Sequence, residues 1–185
     1  WGLVEIPYLC IGSLIFVAIF YFMVGFEADL LKFFYYYLFF LLYVSFLTFF
    51  GQFCAAVLPN PQTASLVGSL MTSIFTLFAG FLIPPSLIPT GWKFLYYLNP
   101  MHYALEGIAM TQYHGTNSEV SVVEISADGE PYVVRSSAEV VVFNFFGGQF
   151  EWNNRFWDLG VLLLFIAAIR LGTSLAFRFM KINRS

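Results

Sequence analysis

The side chains able to do chemistry are few in this sequence and widely scattered. Arg170 stands inside an apolar run, about two helical turns ahead of the basic residues Arg178, Lys181 and Arg184. A guanidinium held in hydrocarbon costs several kcal/mol unless it finds a partner or reaches the interface. Two readings follow: Arg170 pairs with an acid, Glu5 being one candidate, or it snorkels to the interface beside Arg178. A second pattern is Ser65, Ser69, Thr72 and Thr76, which fall within a narrow arc of a helix with Gly68 beside them and Ser73 adjacent. Small and hydroxyl residues on one face either let helices pack closely or border a path that tolerates polar groups. Ser69, Thr72, Ser73 and Thr76 are therefore the candidate substrate-path residues. Phe81 and Leu82 follow as bulky apolar side chains suited to an outer gate.

Enzyme chemistry finds no such support. His102 and His114 lack companions for a metal site of the HExxH kind, no serine sits in a GxSxG turn, and no glycine-rich phosphate loop occurs. The expectation is a chain with no catalytic residues, no metal and no cofactor of its own. Cys10 and Cys54 both lie in apolar runs and read as packing residues rather than a disulfide framework.

The elements that must position these residues follow from composition. Of the 185 residues, 59% are hydrophobic, 21% aromatic and only 10% charged. Soluble domains carry about 25% charged residues, and the mean hydropathy is +0.78. The net charge of −3 is small and by itself says nothing about nucleic acid. No basic tract exists that could follow a phosphate backbone, so no nucleic-acid partner is expected. The fold class expected is an all-α polytopic membrane protein. Since about 20 residues span the hydrocarbon, the apolar stretches divide into spans at about 6–26, 33–58, 63–83 and 157–179. Pro59-Asn60-Pro61 separates the second from the third, because proline removes backbone donors and clashes with a continuing helix. Beginning at Trp1 without a methionine, the chain is expected to be part of a longer protein.

Loop charges orient the bundle. The basic C-terminal end reads as cytoplasmic. Counting back puts Glu5 and Pro59–Pro61 inside and the region of about 84–156 outside, where six acids outnumber two arginines between His114 and Arg155. In that outer region Trp92, Tyr96, Tyr97 and Tyr103 mark a short interfacial or re-entrant helix. Alternating valines around Asp128-Gly129 predict a hairpin over Glu119–Val134. Ser137 caps a short helix reaching Phe146, closed by Gly147 and Gly148.

Several phrases in this order carry a resemblance: Glu5-Ile6-Pro7-Tyr8, Phe50-Gly51-Gln52, Pro59-Asn60-Pro61, Phe78-Ala79-Gly80-Phe81-Leu82-Ile83-Pro84, Tyr96-Tyr97, Asn99-Pro100, Tyr103 and Glu106-Gly107. Together they resemble the membrane domain of G-subfamily ABC transporters, especially the full-length pleiotropic drug resistance type. The likeness covers nearly the whole chain and is weakest from Thr116 to Phe150.

The resemblance implies an ABC-2 type exporter domain of which this chain holds the third to sixth spans, as the second membrane domain of its protein. It implies a partner nucleotide-binding domain elsewhere in the same protein, using ATP and magnesium. It implies transport of hydrophobic or amphipathic small molecules or lipids across the plasma membrane. In such relatives the fifth span lines the central cavity, and bulky apolar residues placed like Phe81 and Leu82 form the outer gate. Two rival classes remain from the residues alone: a membrane-embedded lipid-handling enzyme, or a structural or channel subunit, with the catalytic part outside this chain.

Overall fold

The computed structural model describes residues 2–115, 119–125, 131–146, 148, 150 and 152–180. Two long helices, α1 (Gly2–Val24) and α2 (Leu30–Val57), form an antiparallel pair. Asp29 opens α2 by accepting the Leu31 N–H at 2.9 Å, satisfying a backbone donor that no earlier carbonyl can reach. Val17, Tyr21 and Tyr36 form the buried seam between the two helices. Around it the rings of Phe26 and Phe33 pack against Tyr21 at 5.3 and 5.2 Å between centroids.

α2 ends at Val57, and α3 (Pro61–Leu77) restarts with a proline in its first turn, where the missing N–H costs no hydrogen bond. The last long helix, α7 (Arg155–Met180), packs along α2 more extensively than any other helix does. α1, α2 and α7 are long and apolar enough to cross a membrane. Their outward faces keep large apolar side chains uncovered, such as Phe22 at 72% and Leu164 at 67% exposure. That arrangement is stable in lipid and costly in water.

The third expected span differs from its reading. The helix stops at Leu77 instead of running to residue 83. Gly80 turns the chain with φ 97°, and a side chain there would press on the Tyr96 ring at 3.0 Å. Pro84 and Pro85 then hold a 3-10 turn over Pro85–Leu87. At about 1.5 Å per residue a helix of this length falls short of a hydrocarbon core about 30 Å thick. Phe81 and Leu82 accordingly stand in the irregular segment after α3 rather than on its last turn.

Between α3 and α7 the chain forms α4 (Lys93–Tyr97) and α5 (Pro100–Tyr113). Asn99 caps α5 by accepting the Met101 N–H at 3.0 Å and donates its own amide to the Phe75 carbonyl of α3 at 2.6 Å. α5 does not lie across the ends of the spans. It inserts between α2 and α7, with Phe39, Ala104 and Leu162 forming one buried cluster. Gln112 and Lys32 lock its far end to α2 through reciprocal bonds to each other's backbone carbonyls, at 3.1 and 3.2 Å.

A two-stranded antiparallel hairpin, β1 (Glu119–Ile125) and β2 (Pro131–Ser137), pairs Val122 with Val134. The expected Asp128-Gly129 turn lies outside the described residues. Ser137 caps α6 (Ala138–Phe145), accepting the Val140 N–H at 3.4 Å. The C-terminal residues Lys181 and Arg184 and the helix-closing Gly147 also lie outside the described residues.

Candidate functional site

The bundle offers a groove along α3 and a polar tie at the end of the helices where Glu5, Pro59 and Arg170 lie. The groove, of about 660 Å³, runs between α2 and α3, and Leu47, Phe50, Gly51 and Ala55 face Ser65, Gly68, Ser69 and Thr72 across it. Small residues on both helices keep it open, and Phe50 supplies an aromatic wall. Four of the hydroxyls on α3 donate to the carbonyl four residues earlier: Ser69 to Ser65, Thr72 to Gly68, Ser73 to Ser69 and Thr76 to Thr72, all at 2.9 Å. The protons are thus used within the helix, and the oxygen lone pairs remain available as acceptors. These four hydroxyls make the face wettable and present acceptors rather than donors.

Of the four candidate path residues, Ser69 and Thr72 line this groove. Ser73 is exposed beside it and Thr76 is half-buried one turn further on. The structure therefore divides the stripe. The two candidate gate residues are divided as well. Phe81, 62% exposed, joins an apolar cavity of about 360 Å³ with Phe26, Tyr36, Ile108, Phe145 and Phe146. Leu82, 57% exposed, is not part of that lining.

The polar tie links three helices. Arg170 and Glu5 do not pair directly; Gln52 bridges them. Its amide nitrogen donates to Glu5 Oε2, and its amide oxygen accepts from Arg170 Nη1 at 3.4 Å. The amide orientation is fixed by chemistry, since a carboxylate only accepts and a guanidinium only donates. The Arg170 guanidinium also lies over the Phe49 ring at 4.5 Å, a cation–π contact that favours a partly desolvated cation. Beside it Gln52, Ala55, Thr173, Ser174 and Phe177 border a cavity of about 690 Å³. Gln52 escaped the reading of the residues for chemistry, although it is the one carboxamide side chain of α2.

At the opposite end of the bundle, α5 and α7 bury a second polar group that sequence reading passed over. His102 Nε2 lies 3.7 Å from Glu106 Oε2, four residues along the same helix. That spacing is legible in sequence as a same-face pair. Asn154 donates to Glu106 Oε1 at 3.2 Å, and Asp158 of α7 is buried, 1% exposed. Nearer the hairpin, His114 Nδ1 meets Glu139 Oε1 at 2.7 Å, and its ring stacks on Trp152 at 4.3 Å between centroids. The hydrogen bond from His114 holds the Glu139 carboxyl below its ordinary range, aided by the Gly115 N–H. Among the described residues no group of three or more His, Cys, Asp or Glu converges as metal ligands.

Comparison with known proteins agrees with this architecture. The family model described as ABC-2 type transporter matches residues 2–113, which is more than half of the chain. ABC transporter G family member 31 of Arabidopsis thaliana is 33% identical over 153 residues, 76% of this chain. Pleiotropic drug resistance protein 1 of Nicotiana tabacum is 35% identical over 118 residues, 64% of the chain. ABC transporter G family member 36 of Oryza sativa subsp. indica is 30% identical over 180 residues, 97% of the chain. The chain spans 8% to 11% of the length of these relatives. With its apolar helices, its matched segment and relatives of this kind, the chain belongs to the ABC-2 type transporter membrane family and is similar to the membrane part of G-family ABC transporters.

Proposed function

We propose that the chain forms part of the translocation path of an ATP-driven exporter of hydrophobic or amphipathic small molecules or lipids. The observation that carries this reading is the groove between α2 and α3, which joins aromatic and aliphatic walls to the hydroxyl oxygens of Ser69 and Thr72, whose protons are used within the helix. Such a lining favours apolar bodies bearing a donor group. It discriminates weakly among them, since apolar contacts differ by only about 1–3 kcal/mol per group. Ser69 and Thr72 are the path residues, with Ser73 and Thr76 extending the same helix toward the gate segment of Phe81 and Leu82.

In this reading the nucleotide-binding domain, with its ATP and magnesium, lies elsewhere in the protein. The membrane is the plasma membrane, and the helix ends carrying Glu5, Gln52 and Arg170 face the cytoplasm. The Glu5–Gln52–Arg170 tie holds the starts and ends of α1, α2 and α7 together there, so that they move as one body.

The test is transport by the full-length protein in sealed vesicles. Efflux of an apolar fluorescent probe should require ATP, and Ser69→Ala with Thr72→Val should alter probe selectivity while leaving protein folded and inserted. Efflux that proceeds equally without ATP would refute the exporter reading. ATP-driven efflux with unchanged selectivity would refute only the groove assignment.

A further inference from the structure

Arg170 carries a permanent charge that its neighbours satisfy only in part. Among the described residues its guanidinium makes one hydrogen bond, to Gln52 Oε1 at 3.4 Å, and no ion pair. A guanidinium has several N–H donors in a planar fork, so most of them remain to be used. Glu5 is held on the other side of the Gln52 carboxamide and reaches the cation only through that bridge. The Phe49 ring, 4.5 Å away, supplies a cation–π contact but no lone pair.

The cavity beside Arg170, of about 690 Å³, has two kinds of wall. Arg170, Thr173, Ser174 and Phe177 recur at spacings of three and four, so they share one stripe of α7. Ser174 is exposed there and brings a hydroxyl that can donate. Leu171, also in the lining, is 66% exposed and stands two turns along α7 from Leu164, 67% exposed. An apolar strip therefore leads away from the cation toward the middle of the helix.

The depth of the site fits a lipid headgroup. α2 has 28 residues, about 42 Å at the helical rise, which matches a bilayer with its headgroups. Gln52 lies less than two turns from the end of α2, so the cation it holds stands near the boundary of hydrocarbon and headgroup. A phosphate accepts two parallel bonds from a guanidinium. A free phosphate would use the cation and leave the apolar strip unused, whereas a phospholipid uses both. A zwitterionic lipid brings its own ammonium to compete for the phosphate, and an anionic one does not.

We propose that Arg170 and Ser174 bind the phosphate of an anionic phospholipid, whose acyl chains run along Leu171 and Leu164. The bound lipid bridges α2 and α7 and balances Arg170 at the membrane boundary. The site involves neither the groove nor ATP, so it stands apart from the exporter reading.

The experiment is native mass spectrometry of the full-length protein, titrated in detergent with phosphatidylglycerol or phosphatidylcholine of matched acyl chains. The wild type should bind phosphatidylglycerol about tenfold more tightly, the scale of one hydrogen bond to a charged group. Arg170→Gln should lose that preference. Ser174→Trp, which fills the cavity and leaves the cation in place, should lose it too and decides the matter if Arg170→Gln fails to fold. Arg178→Gln, which removes an exposed charge of α7 outside the cavity lining, should keep it. Equal binding of the two lipids by the wild type would overturn the proposal. A preference that survives in either cavity variant, as when another part of the protein covers the cavity, would overturn it as well. Displacement of the lipid by inorganic phosphate would assign the site to a free anion, and equal loss in Arg178→Gln would assign the preference to diffuse surface charge; each contradicts a built lipid site.

Discussion

Gly107 of α5 and Phe39 of α2 are in direct contact, with no room between them for even a methyl group. Phe39 is fully buried and shares its cluster with Ala104 and Leu162, so the ring has little freedom to give way. This contact sets how deeply α5 enters between α2 and α7. Gly107→Ala should therefore destabilise the bundle by about 1–3 kcal/mol, the usual range for overpacking a filled core. Lower melting temperature in detergent is the readout. Phe39→Leu, which removes the ring face, should restore part of the loss; a double variant no better than the single would show that the glycine serves another purpose.

The tie at the opposite end gives a second expectation. Gln52→Leu deprives Glu5 and Arg170 of their shared partner while keeping the side-chain volume similar. The loss should be about 1.5–3 kcal/mol, as for hydrogen bonds to charged groups. A double-mutant cycle of Gln52→Leu with Arg170→Met should show strong coupling. Additive effects would mean that Arg170 rests on Phe49 and the interface alone.

Much of this fold is legible in the sequence, and the exceptions have physical causes. α1, α2 and α7 are readable because a long uncharged run has few alternatives to a membrane helix. The break at Pro59–Pro61 is readable for the same local reason. The end of α3 is not, since Phe78–Ile83 continues as apolar as the helix before it. What stops the helix is Gly80 fitting against Tyr96 and Phe146, residues far along the chain. The bridging role of Gln52 is hidden likewise, because its partners lie 47 and 118 positions away. Glu106 is different: its spacing from His102 is legible in the sequence, whereas its bond from Asn154, 48 positions away, is not.

The His114–Glu139 contact makes the fold of the outer region sensitive to acid. The folded state holds the Glu139 carboxyl below its ordinary value, chiefly through the His114 hydrogen bond. Its contribution is complete above the ordinary carboxylate range, about 4.3 for glutamate. It is lost as pH falls through the lowered folded value. Hydrogen exchange at the Gly115 amide, which donates to Glu139 at 3.3 Å, should accelerate on acidification relative to its intrinsic rate. Glu139→Gln should remove that dependence, and an unchanged acid response in the variant would assign it elsewhere.

The groove makes a prediction about specificity. Thr72→Val keeps shape and deletes an acceptor, so substrates bearing a hydroxyl or amide donor should lose more transport than hydrocarbon-like ones. The comparison is one of relative efflux rates in the full-length protein. Equal losses for both substrate types would point to a packing defect rather than lost recognition.

The most direct test places a reporter in the groove itself. In an otherwise cysteine-free full-length protein, Ser69→Cys should react with a small polar thiol reagent in membranes. A transported apolar substrate should slow that reaction, and ATP should change it further as the path alternates its exposure. Labelling that is indifferent to both substrate and ATP would contradict the claim that α2 and α3 border the translocation path.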